Sequence, residues 1–548
     1  MAWWDKIDPL KGVDLFGTRS KGSNVGDGLR TGWSIYTTVA KTVAGRHARK
    51  KMEQDEARER QRIKDAIANP PTLHGSARWA TAGELQRAGV LRDGDAAFDH
   101  PSSLLLGAFA DPAMDGAIAG QVHWDGEGHL ITIAPTRTGK STTTIVPNLV
   151  RYRGSCVVLD PKGELYRDTA AWRRSMGQSV YRIAPFAGGN DGFNPMDEAK
   201  TFAGARELAS LLMPYDPKAV DFFRKDAVGF LTAVILYVNE YAPEGNRTLQ
   251  EVRNIVSGPV DEMIEVANEM LKMRNPAYVN AAGAVMSKGR EAMGTLRSTF
   301  ASELSIWDDP QIAGAVAGTF DFGTLKDRPV TVYIEVPFNK MEAYGPFLKV
   351  VLTSALDAML RNERHPKIPV LFILDEFLSL GAFPQFVDAI RTHAGSGVRL
   401  WFFLQNLAEL EKLYRDSWRT FLDAAVKMFF GTKDGHTGRL ISEHILGTTT
   451  LAHFSGGLSK SGKASTGDIF DRDSSVNTTI TAGVAYSARP LLTATEVVAR
   501  LSGKFDDHTR NGIIAIDDVA HPIDLRMVPY FRSKKCSSRV PPRPRPAD

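Results

Sequence analysis

The chain has 548 residues, is 43% hydrophobic and 24% charged, and carries a net charge of +4 from 67 basic and 63 acidic residues. That length implies two to four domains, the apolar fraction excludes a wholly disordered chain, and so balanced a charge does not by itself mark a nucleic-acid partner, although a local basic channel could lie hidden in it. Two distant cysteines, Cys156 and Cys536, exclude a disulfide framework or a zinc cluster. No run of about 18 apolar residues suits a membrane-spanning helix, and Met1–Ser20 lacks a signal peptide's apolar stretch, so a soluble cytosolic protein is expected.

Residues 1–45 are glycine-rich with scattered aromatics, and 46–68 form a charged helix with i,i+4 pairs such as Glu56–Arg60. From His74 the chain reads as globular. An apolar strand, His129–Ala134, leads through a turn into a helix over Thr142–Val150 and then a second strand, Ser155–Leu159, which is the βαβ unit of a parallel sheet. Between 198 and 310 the apolar period becomes helical, with Phe223, Ala227, Phe230, Leu231, Val234, Ile235 and Val238, and later Met293, Leu296, Phe300 and Leu304. Strands return at Val330–Val336, Val370–Leu374, Val398–Leu404 and Val426–Phe430. The Gly/Ser/Thr-rich stretch 453–485 reads as a flexible loop or irregular hairpin, and the basic, proline-rich residues 532–548 as a disordered tail. The expected division is an N-terminal extension (1–73), the first part of an α/β nucleotide-binding domain (74–197), an all-α domain (198–310), the second part of the α/β domain (311–531) and the tail.

Two motifs carry chemistry. The run APTRTGKS, Ala134–Ser141, approximates the phosphate-binding G-x-x-x-x-G-K-[ST] loop, in which backbone N–H groups wrap phosphates, the lysine reaches the terminal ones and the hydroxyl binds Mg²⁺. Thr136, Arg137, Thr138, Gly139, Lys140, Ser141 and Thr142 are the expected ATP-binding residues, and Ala134 departs from the pattern's first glycine. Alanine serves there if the position needs no positive φ. Gly462-Lys463 and Gly503-Lys504 lack both the following hydroxyl and the preceding strand. The second motif, PVLFILDE over Pro369–Glu376, is an apolar strand ending in two carboxylates. Asp375 would stand beside Mg²⁺ with Ser141, and Glu376 would orient and deprotonate water. Gln405, at the end of another apolar strand, suits a sensor of the γ-phosphate or the attacking water.

These segments resemble the TraG-like family of type IV secretion coupling proteins, the ATPases of bacterial conjugation. The matching runs are HGSARWA (74–80), APTRTGKS with IVPNL (145–149), LDPKGELY (159–166), FNP (193–195), VYIEVP (332–337), LFILDEFLSLG (371–381), GVRLWFFLQN (397–406) and RPLLTATEV (489–497). The resemblance implies a RecA-like P-loop domain interrupted by an all-α domain, and a homo-hexamer with ATP at its subunit interfaces. Lys140 and Ser141 would be its Walker A residues, Asp375 and Glu376 its Walker B pair, and Gln405 its glutamine. It further implies DNA and a relaxase as substrates and a type IV secretion channel as partner.

Two departures stand out. Many members carry N-terminal transmembrane helices and none is readable here, which implies a soluble branch, cytoplasmic or peripheral at the inner face of the membrane, or a separate membrane subunit. Ala394 occupies the place where some members have an arginine finger, leaving Arg391 and Arg399 as substitutes. No DNA-reading motif is present, and the candidate basic loops are Arg151–Arg153, Lys460–Lys463 and Arg532–Arg545. The reading is an ATP-hydrolysing motor that couples DNA to secretion, with the helical domain as a recognition surface. Its alternatives are an ATP-dependent receptor for protein effectors and a DNA translocase without secretion.

Overall fold

Short runs of aliphatic and aromatic residues, apolar on both sides of the pleat, build the centre of the molecule. The computed structural model describes residues 57–58, 61–66, 68–69, 71–92, 100–188, 191–213, 222–461, 477–505 and 507–542. Its strands are β1 (Leu91–Arg92), β2 (Leu104–Asp111), β3 (Ala117–Trp124), β4 (Leu130–Ile133), β5 (Cys156–Leu159), β6 (Ser179–Ile183), β7 (Val330–Ile334), β8 (Val370–Leu374), β9 (Val398–Leu404), β10 (Val426–Phe430), β11 (Thr448–Ser461), β12 (Asn477–Pro490), β13 (Arg510–Ile516) and β14 (Ile523–Met527). Twelve of them form one sheet in the order β1-β3-β2-β14-β13-β10-β4-β9-β8-β5-β7-β6. The stretch from β10 to β6 is parallel throughout.

Every residue of β4, β5, β7, β8 and β9 is buried, as a parallel sheet covered on both faces requires. One face carries Ile131, Ile133, Val157, Phe372, Leu374 and Phe402 into the core shared with the helices. The other carries Leu130, Val158, Leu371, Ile373 and Trp401 against Leu149, Tyr152 and Leu165. The Trp401 indole also donates to Thr132 Oγ1 at 2.9 Å, tying β9 to β4.

Between β6 and β7 the described residues contain helices and no strand, the longest being Phe222–Tyr241 and Gly289–Glu303. Side-chain caps start several of them. Thr201 accepts from Gly204, Thr248 from Glu251, and Asn275 and Asp309 cap helices that open on Pro276 and Pro310. Ala227, Phe230, Leu231, Val234, Ile235, Val238, Met293, Leu296, Phe300 and Leu304 are all buried.

The antiparallel wing β1–β3, β13 and β14 and the edge strand β6 are additions to the strands expected. Gly107 and Gly120 interrupt β2 and β3, β2 bulges twice against β3, and β3 is mostly exposed or half-buried, which blurs the pattern of these two strands in the sequence. The Gly/Ser/Thr-rich stretch is a two-stranded antiparallel hairpin, β11 against β12, paired from Thr448↔Pro490 to Ser461↔Asn477. The tail departs from expectation: Lys534–Ser537 is helical, Cys536 and Val540 are buried in the second core, and Arg539 stacks on Trp172 at 4.7 Å while donating to Val150 O. Two apolar side chains and a shared carbonyl fasten what composition marks as solvated. Of the basic loop Arg151–Arg153, Arg151 is buried. Residues 1–56, Lys463 and 543–548 lie outside the described residues, as does much of the charged helix.

Candidate nucleotide site

The strand order brings the site together. β9 lies between β4 and β8, with Ile133 opposite Leu404 and Leu374 opposite Phe402, so the residues that follow all three strands meet at one edge. Those residues are the phosphate-loop run, Gln405, and the pair Asp375-Glu376.

Ala134 is fully buried, donates its N–H to Leu404 O at 2.9 Å, and is not among the residues of positive φ, so the missing glycine is tolerated. The turn then takes positive φ at Arg137 (+59°) and Gly139 (+97°). Thr138 Oγ1 closes it onto Pro135 O at 2.6 Å. Gly139 O accepts from Thr143 N at 2.8 Å and from the hydroxyls of Thr142 and Thr143 at 3.1 and 2.9 Å. Thr136 and Arg137 are exposed, and Ser141 and Thr142 are half-buried. The following helix opens as a π-turn over Ser141–Ile145, where Val146 N–H reaches Ser141 O, and continues as α over Val146–Leu149. Pro147 has no N–H, and the widened turn accommodates it at the first positions of the α segment. Asn148 exchanges hydrogen bonds with the Leu105 backbone and donates to Thr144 O, fixing this helix to β2.

At the end of β8, Glu376 adopts φ +55°, a left-handed conformation that disfavours a side chain and is held here by burial. The turn points its carboxylate back to the loop. Lys140 Nζ donates to Glu376 Oε1 at 2.7 Å and lies 3.8 Å from Asp375 Oδ1. Gln405 Nε2 donates to Glu376 Oε2 at 2.8 Å. Lys140, Asp375 and Glu376 are each 7% exposed. Burial pushes the Asp375 carboxyl up to about 6, against the pull of Lys140 and with a further push from Glu376. Asp375 Oδ1 is buried without a hydrogen-bond partner. A buried carboxylate oxygen without a hydrogen-bond donor is the kind of hard oxygen ligand that a divalent cation such as Mg²⁺ takes.

Arg399 is no arginine finger. It is buried, its guanidinium donates to Gly126 O at 3.1 Å, to Ser102 O at 2.7 Å and to Asp125 O, and it stacks on Trp124 at 5.1 Å. Buried and bonded to three carbonyls of its own chain, this guanidinium is held away from any neighbour. Arg391 is exposed, with one contact to Thr420 Oγ1 at 3.3 Å.

Two site residues escaped sequence reasoning. Asp160 follows β5 as Asp375 follows β8, and the register Leu159↔Leu374 sets them side by side. It is buried, accepts from Tyr166 N at 2.8 Å, and is pushed up to about 7 by burial, with Glu335 and Asp375 adding. Its place at the end of an apolar strand within LDPKGELY was the available signal. Gly431 backs the loop: a Cβ there would stand 2.3 Å from Thr138 Cγ2. Nothing in the sequence near Gly431 points to that approach.

The chain is similar to known proteins. Protein VirD4 of Rhizobium radiobacter is 29% identical over 396 residues, 68% of this chain and 55% of its own length. Conjugal transfer protein TraG of Escherichia coli is 30% identical over 378 residues, 62% of this chain and 58% of its own. The chain thus spans a little over half the length of these curated relatives. The unbound monoclinic structure of the bacterial conjugative coupling protein TrwBdeltaN70 superimposes with a TM-score of 0.54 at 16% identity, covering 83% of this chain and 92% of that one. Plasmid coupling protein TrwB in complex with the non-hydrolysable ATP analogue ADPNP gives 0.52 at 15% identity over 84% and 96%. The shared fold is the RecA-like P-loop NTPase fold. The model of the family described as type IV secretory system conjugative DNA transfer matches residues 78–544, and the chain belongs to that family.

Proposed function

We propose that the protein is an ATPase coupling DNA, with its relaxase, to a type IV secretion channel, and that it works as a homo-hexamer. The observation that carries the ATPase reading is the convergence of Lys140, Glu376 and Gln405 within hydrogen-bond distance from three separate strands. Family membership and the coupling-protein neighbours support the substrate; TrwB has been solved with ADPNP and with ADP and Mg²⁺.

In this reading Lys140 exchanges Glu376 for the terminal phosphates, whose charge it neutralises. Glu376, still oriented by Gln405, accepts a proton from the water that attacks in line. Ser141 and Asp375 would hold Mg²⁺, which when bound would supply charge neutralisation at the transferred phosphoryl group. Arg391 is the arginine offered to a neighbouring subunit. The all-α domain, 198–310, presents the recognition surface. Among the described residues no helix is long and apolar enough to cross a membrane; the same reading places the protein at the inner membrane face through a separate membrane subunit.

The test is an ATPase assay with and without single- and double-stranded DNA, on the wild type, Lys140→Ala and Glu376→Gln. Turnover lost in both variants and stimulated by DNA in the wild type is expected. Wild-type turnover in Lys140→Ala defeats the ATPase reading. Turnover indifferent to DNA, with tight binding of a secreted protein, favours an effector receptor instead.

A further inference from the structure

At the edge of the sheet opposite the nucleotide site lies a cavity of about 630 Å³, at the points where β5, β7 and β8 begin. Arg153, Lys326, Arg328, Arg364 and Lys367 line it against a single carboxylate, Asp327. This local excess of positive charge equals the +4 of the whole chain. Asp327 is already committed, accepting from Arg364 at 2.8 Å and from Asn362 Nδ2 at 3.2 Å. Lys326 is 6% exposed, and its ammonium donates to one carbonyl, Asn362 O at 2.7 Å, leaving two of its three donors. Burying an ammonium beside a carbonyl alone is costly. Arg153, Arg328 and Lys367 are exposed at the rim and stand in none of the ion pairs among the described residues.

We propose that this cavity is a second anion site, which grips the phosphodiester backbone of a nucleic-acid strand remote from the ATP site. It rests on the proposed DNA substrate. The cations are spread around an open rim over a buried one, an arrangement that suits successive phosphates. None of the described lining residues is Phe, Tyr or Trp. With five cationic side chains and none of the large aromatic platforms in the lining, the contact is chiefly to backbone charge and independent of sequence. The volume falls within the range of ligand-sized sites and takes a short stretch of strand.

The test is fluorescence anisotropy of a labelled oligothymidylate titrated with full-length protein over a range of KCl. The Arg328→Gln/Lys367→Gln double variant is compared with the wild type and with a charge-matched control, Arg87→Gln/Lys412→Gln, whose residues are exposed elsewhere. The cavity variant should bind several-fold more weakly, with a salt slope shallower by about 1.4, roughly 0.7 for each lost single-strand phosphate contact, while the control keeps the wild-type slope. Basal ATPase unchanged in both variants reports intact folding. A cavity variant with the slope and affinity of the wild type or of the control overturns the proposal. So does displacement of the oligonucleotide by tripolyphosphate or polyglutamate at equal charge concentration, which would assign the cavity to a free oligophosphate or an acidic protein segment. A wild type that binds no oligonucleotide at any salt sinks the DNA substrate itself, a result distinct from failure of the cavity alone.

Discussion

Lys140 Nζ donates to Glu376 Oε1 at 2.7 Å, across 236 residues of sequence. The cation that would hold phosphate and the carboxylate that would activate water thus neutralise each other, and nucleotide must compete with Glu376 for the lysine.

Glu376→Gln should bind ATP more tightly than the wild type. A neutral amide holds Lys140 less strongly than a carboxylate, and the difference of about 1 kcal/mol lowers the dissociation constant several-fold. Turnover should fall by about 10²–10⁴ with the base gone. Calorimetric titration beside a steady-state assay reads both, and an ATP affinity weaker than wild type would contradict the competition.

Gln405→Ala leaves Glu376 Oε2 without its donor. The carboxylate then loses orientation rather than charge, so kcat should drop by about 10- to 100-fold while KM changes little. An unchanged kcat would make Gln405 a bystander.

The two arginines should separate by readout. Arg399→Gln strips donors from three backbone carbonyls and removes the stack on Trp124. A loss of about 2–4 kcal/mol in urea denaturation is expected. Arg391→Ala touches one threonine hydroxyl and should leave stability unchanged while lowering turnover of the assembled protein. In mixed assemblies with Lys140→Ala subunits, the Arg391 defect should be complemented across the interface. An Arg399→Gln protein of normal stability but no activity would reverse these roles.

Asp160 supplies a pH signature. Its carboxyl lies at about 7 in the fold against an ordinary 3.8, so the fold favours the protonated form. The stability it contributes is complete below about 4 and is lost as pH rises through about 7. Asp160→Asn should therefore be more stable than wild type at pH 8, by at most about 4 kcal/mol less whatever the hydrogen bond to Tyr166 contributes. That advantage should vanish by pH 4. Urea curves at both pH values measure it, and an Asn variant less stable at pH 8 than at pH 4, relative to wild type, would exclude the buried acid.

Much of this was legible in order along the chain. Strands β4, β5 and β7 to β10 are predominantly apolar runs, broken by a single charge in β9 and in β10, because both faces of the parallel sheet are covered, and such runs need little context to be read. The phosphate loop was legible because Gly139-Lys140-Ser141 falls between a strand and a helix. The antiparallel wing was not, since β2, β3 and β13 are interrupted by glycine and β1 and β14 are short. Nor was the docking of Cys536 and Val540, because two apolar residues in a basic tail carry no periodic signal.

The sequence by itself determined which residue types could do the chemistry: a lysine after a loop, two carboxylates after a strand, a glutamine after another. Tertiary structure decided which of them meet. Inserting β9 between β4 and β8 placed Gln405 against Glu376, the left-handed turn at Glu376 aimed it at Lys140, and the register of β5 beside β8 added Asp160. It also removed Arg399, by burying it and bonding it to three carbonyls of its own chain. Contacts between residues hundreds of positions apart follow from strand order and burial, which arise only when the sheet closes its core.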